Sequence, residues 1–435
     1  MLIPAPRLLL GTALLTLLGV LASVLPSLAL LWWAALAALT LLALLDAWRL
    51  SQRPAPVVKR SLPHALALGV QRPVDLAIEN ESEQPLQLAL FDHVPPSMAV
   101  HGLPQRLHLP PGQGARVQYR VRPLVRGNLQ FGQVELRLRS NWGLWDRRAW
   151  AGEPASVRVY PNFAALSRFA LLTVDHRLSQ VGVLKRRRRG EGLDFHQLRE
   201  YREGDPQRQI DWKATARMGR LISREYQDER DQQIILLLDC GRRMQARDDA
   251  LSHMDHVLNA ALLLAFVALR QGDAVGLSSF GGIERAQPPR KSMATLQSLL
   301  ALTYDLQPTL QSPDFLGAAQ ALLARQRKRA LVVILSNLRD EDDDSLLPAI
   351  ELLQRRHLVL LASLREGVLQ QGLVNPIRAL DDALAHAATA EYLERRREAF
   401  ARLRGHGIHC VDVEPAELPM ALVNQYTELK RAGIL

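Results

Sequence analysis

The chain has 435 residues, 54 Lys+Arg against 44 Asp+Glu, a formal net charge of +10, and 48% hydrophobic and 23% charged residues. That balance excludes a wholly disordered or collagen-like chain, and the length suffices for two or three domains. Two cysteines, Cys240 and Cys410, exclude a disulfide scaffold and a four-cysteine zinc site and suit a reducing compartment.

Residues 8–25 and 28–45 are uncharged and almost wholly apolar, interrupted only at Leu25-Pro26-Ser27. At about 1.5 Å of rise per residue each reaches roughly 27 Å, close to the thickness of a bilayer's hydrocarbon core. Residues 1–50 are therefore expected to form two transmembrane helices; a buried helical hairpin would be less apolar around its circumference. Arg7 precedes the pair, Arg49, Arg53, Lys59 and Arg60 follow it, and the turn between carries no charge. The positive-inside rule then puts both termini in the cytoplasm, giving a multi-pass protein of the inner (cytoplasmic) membrane. The rival reading makes residues 1–23 a cleavable signal peptide. Residues 51–65 read as a basic linker whose cations can touch anionic lipid headgroups.

From 66 to 160 the pattern has period two, as in Val74-Asp75-Leu76-Ala77-Ile78 and Val134-Glu135-Leu136-Arg137-Leu138, with turn formers such as Pro110-Pro111-Gly112 between runs. This predicts an antiparallel β-sandwich-like domain, with nothing catalytic in it. Residues 161–231 form a connector containing the basic run Lys185-Arg186-Arg187-Arg188-Arg189. No aromatic interleaving accompanies that run, so a solvated loop is preferred over nucleic-acid or lipid binding.

Residues 232–435 alternate strand and helix. Apolar strands at 234–238, 274–280, 331–335, 358–362 and 408–413 lie between helices, which implies a parallel sheet covered on both faces: an α/β domain following a β domain. Ligands bind such sheets at the carboxyl ends of the strands, where Asp239 and Asn337 fall. His253 and His256 read as a polar helix face. There is no phosphate-binding loop and no nucleophile elbow.

The connector contains Gly190-Glu191-Gly192-Leu193-Asp194-Phe195, Leu198-Arg199-Glu200-Tyr201, then Gly204-Asp205-Pro206-Gln207-Arg208-Gln209-Ile210-Asp211-Trp212-Lys213-Ala214-Thr215-Ala216-Arg217 and Leu221-Ile222-Ser223-Arg224-Glu225. This run resembles the signature of the bacterial domain of unknown function 58 family. The resemblance extends to the layout: two spans, a β-rich region, the signature at 190–225, then a doubly wound von Willebrand factor A-like domain. It implies protein partners, a MoxR-type AAA+ ATPase and a transglutaminase-like membrane protein. Read physically, the stretch is either an ion-paired connector with Tyr201 and Trp212 packed as anchors, or a docking surface. The docking candidates are Arg199, Tyr201, Gly204, Asp205, Arg208, Asp211, Trp212, Lys213 and Arg217.

Domains of the von Willebrand factor A type hold a divalent cation on Asp-x-Ser-x-Ser, a Thr and a second Asp. The resemblance therefore directs attention to Asp239-Cys240-Gly241-Arg242-Arg243. Gly241 and Arg243 replace the serines, Asn337 replaces the second Asp, and Pro313 stands near the Thr position. Hard cations need oxygen ligands, and the Arg243 guanidinium would repel one. The expectation is a degenerate site with no metal and no cofactor, in which Asp239 pairs with Arg243 or Arg242. The expected function is a non-enzymatic membrane-anchored adaptor. The alternatives are a metal-dependent hydrolase using Asp239, Asp205 or Asp211, and a basic-patch binder of nucleic acid or anionic lipid.

Overall fold

The computed structural model describes residues 1–162, 194–202, 207–227, 232–248, 250–339 and 343–435, with side chains left out at 194–196, 208, 225–227 and 343–344. The basic run 185–189, Gly204, Asp205 and the Arg208 side chain lie outside the described residues. The chain divides into two units, Met1–Tyr160 and Pro161–Leu435.

The first unit opens with a short strand, β1 (Leu2–Pro4), followed by helix α1 (Pro6–Val24), a 3-10 turn at Pro26–Leu28 and helix α2 (Ala29–Ser51). Pro6 starts α1, where its missing N–H costs nothing, and Pro26 restarts the chain after α1. Both helices are long and apolar enough to cross a membrane, with only 6% of either span buried. α2 runs on past the expected end at 45, because Asp46 is buried and accepts the Leu144 N–H at 3.3 Å instead of seeking solvent.

Eleven further strands follow in this unit: β2 (Val57–Ser61), β3 (Ala65–Ala67), β4 (Arg72–Glu79), β5 (Leu86–Asp92), β6 (Met98–His101), β7 (Gln105–Leu109), β8 (Gly114–Pro123), β9 (Gly127–Phe131), β10 (Val134–Arg139), β11 (Trp145–Ala151) and β12 (Ala155–Tyr160). They form sheets of order β1-β11-β10-β5-β7, β2-β4-β8-β6 and β3-β12-β9. Every pairing is antiparallel except β3 with β12. Alternation does what period two requires: Val117, Tyr119 and Val121 of β8 are buried while Gln118, Arg120 and Arg122 face out. Part of the stretch expected to be a linker, Val57–Ser61, is β2. Its Arg60 reaches Asp92 of β5 in a buried bidentate pair at 3.0 and 2.5 Å, and Tyr119 of β8 donates its hydroxyl to the same carboxylate. Burial beside Asp92 pushes the Tyr119 hydroxyl pKa far up.

In the second unit, β13 (Asp194–Glu200) pairs antiparallel with β14 (Ile222–Gln227), and helix α3 (Trp212–Met218) lies between them in sequence. The main sheet is built from β15 (Gln233–Asp239), β18 (Ala274–Phe280), β19 (Ala286–Arg290), β20 (Leu331–Ser336), β21 (Leu358–Leu364) and β22 (His409–Val413), in the order β19-β18-β15-β20-β21-β22. Two short strands, β16 (Arg247–Asp248) and β17 (Leu251–Ser252), make a separate turn. The five strands expected from apolar runs are parallel; β19 is a sixth, antiparallel at the edge.

The remaining helices are α4 (His253–Arg270), α5 (Met293–Thr303), α6 (Phe315–Arg325), α7 (Asp343–Gln354), α8 (Gly367–Val374), α9 (Leu380–Gly405) and α10 (Leu418–Arg431). One core joins Leu236 and Leu238 to Leu264, Leu299 and Tyr426; another joins Ile235 and Leu237 to Phe315, Ile350 and Phe400. Neighbouring residues of β15 thus feed opposite cores, as expected of a strand buried on both faces. α9 runs for 26 residues. Its buried residues (Leu393, Arg396, Ala399, Phe400 and Leu403) all lie in its second half.

Candidate functional site at the strand ends

β15 and β20 are neighbours at the centre of the sheet, so their carboxyl ends bring Asp239 beside Ser336 and Asn337. Asp239 is wholly buried. Its Oδ1 accepts the Gly241 N–H at 2.7 Å, and its Oδ2 accepts the Ser336 hydroxyl at 2.6 Å. The backbone closes tightly around this carboxylate. A Cβ added at Gly241 would stand 3.0 Å from Asp239 Oδ1, 2.9 Å from the Gln311 carbonyl and 3.2 Å from Pro313 Cδ. One added at Gly281, whose φ is +72°, would stand 3.2 Å from the same Oδ1. Pro313 therefore does lie at this rim. So does Thr309, which the sequence reading passed over: its hydroxyl donates to the Gly281 carbonyl at 2.6 Å and its N–H to the Cys240 carbonyl at 2.8 Å.

Arg243 is buried in the 3-10 turn after β15 and donates to the Asn337 carbonyl at 3.4 Å; Arg242 is exposed. The Asn337 side chain faces elsewhere. Its Nδ2 donates to Glu366 Oε1 at 2.8 Å and lies 3.4 Å from His253 Nδ1. His253 Nε2 is 2.9 Å from Asp248 Oδ2, and the other oxygen of Asp248 accepts the Gly367 N–H at 3.3 Å. With a carboxylate facing it, Nε2 is the ring nitrogen that donates toward Asp248. Arg339 completes the cluster at 3.4 Å from Glu366. Burial pushes the Glu366 carboxyl pKa up, but Asn337, its own backbone N–H, Arg339 and His253 together hold it below the usual range.

Local structure explains how these residues meet. Ser252 caps α4 in a reciprocal box with Asp255, so the helix begins at His253. The β16–β17 turn folds Asp248 back onto it. His253 is fully buried, and burial with the nearby His253 lowers the His256 pKa, so the pair is not a solvated helix face. Arg396 of α9 holds the rim from outside: it is buried and donates to the Leu338 carbonyl, to Ser363 Oγ at 2.8 Å, to the Leu364 carbonyl at 2.7 Å and to Asp412 at 2.7 Å. It thereby ties the ends of β20, β21 and β22. Among the described residues, no three His, Cys, Asp or Glu side chains are grouped to hold a metal ion.

The signature hairpin separates into structural and exposed residues. Asp211 caps α3 by accepting the Ala214 N–H at 3.0 Å and pairs with Arg224 at 2.8 Å, contacts that hold its carboxyl pKa low. Tyr201 donates its backbone N–H to the Leu221 carbonyl at 3.0 Å, and Arg199 donates to the Glu200 carbonyl at 3.0 Å. Trp212 is 68% exposed, so it is not the packed anchor of the connector reading. Lys213, Arg217 and Met218 are exposed on the same helix.

One family model overlaps this hairpin and most strands of the main sheet. Residues 197–404 match the family model described as a protein of unknown function, DUF58. An uncharacterized protein of Mycobacterium tuberculosis is 25% identical over 303 residues, covering 63% of this chain and 92% of its own. The uncharacterized protein YeaD of Bacillus subtilis is 25% identical over 173 residues, covering 38% of this chain and 39% of its own. Among solved structures, the FixG-related protein from Vibrio parahaemolyticus aligns with 24% of this chain and 97% of its own, at 10% identity and a TM-score of 0.19.

Proposed function

We propose that the protein is a membrane-anchored adaptor without catalytic activity, held by α1 and α2 in the bacterial inner membrane and offering its von Willebrand factor A-like unit to other proteins in the cytoplasm. The observation that carries this reading is the Asp239 carboxylate. Both of its oxygens are engaged inside the protein, by the Gly241 N–H and the Ser336 hydroxyl, and Gly241 and Gly281 pack their backbone close against it. A rim closed in this way works as a degenerate metal site and binds by shape and charge, not by bridging a metal to a partner's carboxylate. The exposed Trp212, Lys213 and Arg217 of α3 supply an aromatic and cationic surface of the kind that anchors protein interfaces. The family resemblance points to a MoxR-type AAA+ ATPase and a transglutaminase-like membrane protein as partners, in assembly or maturation of a client.

The test is a crosslinking pull-down from membranes with the wild type, Trp212→Ala and Arg199→Glu. Loss of captured ATPase from variants that still fold supports the reading, and equal capture refutes it. Calorimetry with Mg²⁺ and Mn²⁺ tests the rim. A micromolar binding heat that disappears in Asp239→Ala would overturn the degenerate site.

A further inference from the structure

The turn between β10 and β11 is fastened to the helical pair at the end of its apolar stretch. The Trp145 indole N–H donates to the Ala43 carbonyl at 2.9 Å, and the Ala5 N–H to the Leu144 carbonyl at 2.9 Å. Arg147 donates to the Leu50 and Ser51 carbonyls at 3.1 and 3.0 Å, which caps the electronegative end of α2. The turn cannot lie far from the level of Ala43–Arg49. If α2 spans a bilayer, that level is the headgroup layer, where tryptophan rings are favoured. Trp142 at the tip of the turn is 38% exposed, and Trp48 on α2 is 62% exposed.

Two cations converge on Trp142. Arg7 donates to its carbonyl at 3.2 Å, and the Arg49 guanidinium stands 5.2 Å from its ring. The Arg7 stem crosses Gly143, whose φ of +72° makes the turn and where a Cβ would stand 3.2 Å from Arg7 Cδ. Among the described residues, neither Arg7 nor Arg49 has a carboxylate within salt-bridge range. Arg53 and Arg147 lie near the same end of α2, their pKa values drawn down by burial, against the opposing pull of Asp46 at Arg53 and with the added repulsion of Arg53 at Arg147. The carboxylate at this root of the pair is the buried Asp46; Asp146 pairs with Arg139. Two exposed guanidiniums converging on a partly exposed indole call for an anion with an amphipathic neighbour.

We propose that Arg7, Arg49 and the turn 140–145 form a headgroup site for one anionic phospholipid, its phosphate between the two guanidiniums and its glycerol against Trp142. The site rests on the proposed membrane anchoring and deepens it. A lipid is chosen over free phosphate because the aromatic ring and the adjoining apolar helices offer surface to a glycerol and acyl chain but nothing to an inorganic ion.

The experiment uses the full chain. Pelleting through alkaline carbonate first asks whether the wild type is an integral membrane protein, which tests anchoring alone. Native mass spectrometry of the detergent-released protein then measures retained phosphatidylglycerol against phosphatidylcholine. The expected result is preferential retention of phosphatidylglycerol. Arg7→Gln or Arg49→Gln should each weaken it about fivefold, the effect of one basic residue at an anionic surface. Arg49→Lys should restore most of it, and Arg116→Gln, an exposed cation on β8, should change nothing. Equal retention of both lipids, or unchanged retention in the two glutamine variants, overturns the site while leaving anchoring intact. Displacement of phosphatidylglycerol by millimolar inorganic phosphate overturns it in favour of a free-ion site. Circular dichroism of each variant distinguishes loss of the site from loss of the fold.

Discussion

The side-chain amide of Asn337 donates to Glu366 Oε1 at 2.8 Å, joining the loop after β20 to the loop after β21. Asn337→Asp would set two carboxylates against each other in a buried place. It should destabilise the second unit at neutral pH by about 1–3 kcal/mol, measured by urea unfolding. The pH dependence has a definite sign. The Glu366 carboxyl pKa is held low when folded, so its contribution is complete above the ordinary glutamate range and is lost as pH falls through the lowered value. Glu366→Gln should flatten the acid limb of the stability profile, whereas in Asn337→Asp the penalty should shrink as acid protonates one partner.

The Arg60–Asp92 pair is buried and shares Asp92 with the Tyr119 hydroxyl. Removing only one partner leaves a charge without compensation. Asp92→Ala should therefore cost about 3–5 kcal/mol in denaturant titration of the detergent-solubilised protein. Replacing the set together, Arg60→Met with Asp92→Leu and Tyr119→Phe, should cost far less. A larger loss in the combined variant would show that the pair is net stabilising.

Ser336 and Gly281 both guard Asp239. Ser336→Ala removes the donor to Oδ2 and should cost about 1–3 kcal/mol, because the acceptor stays buried. Gly281→Ala forces a side chain into the left-handed region and toward Oδ1, and should cost about 1–2 kcal/mol. Thermal unfolding of each variant measures both.

Neither cysteine should react while the protein is folded. Cys240 is fully buried, and burial pushes the Cys410 thiol pKa up to about 11, which leaves little thiolate at neutral pH. Maleimide labelling at pH 7.5 should be slow in buffer and rapid in denaturant. Fast labelling of Cys410 in buffer would mean that β22 opens readily.

The five parallel strands were legible because each is an unbroken apolar run, and β15 shows why: both of its faces are buried. β19 was not, because Pro288 and Pro289 argue against a strand anywhere except at an edge, which is where it lies. β1 was too short to carry a period. At the site, Asp239 and Asn337 were legible as residues just past strand ends. Asp248, His253 and Glu366 were not, since only the strand order and the capped start of α4 bring them to Asn337. His253 looked like a surface residue because its neighbours in sequence say nothing of the carboxylate folded back onto it. Trp212 shows a different limit: an aromatic residue in a charged stretch fits either a packed anchor or a docking surface, and only the structure shows that Asp211 does the holding while Trp212 stands in solvent.

Strand β1 precedes the helical pair and pairs with β11, which is encoded only after most of the first unit. A truncated chain starting at Gln52, made to obtain a water-soluble fragment, would therefore lose more than its two apolar helices. It would strip β11 of its neighbour and leave a row of unpaired backbone donors and acceptors along an outer edge. Trp145 and Arg147 would lose the carbonyls they now serve. Such a fragment should self-associate, and detergent extraction of the intact chain is the sounder route to a monodisperse sample.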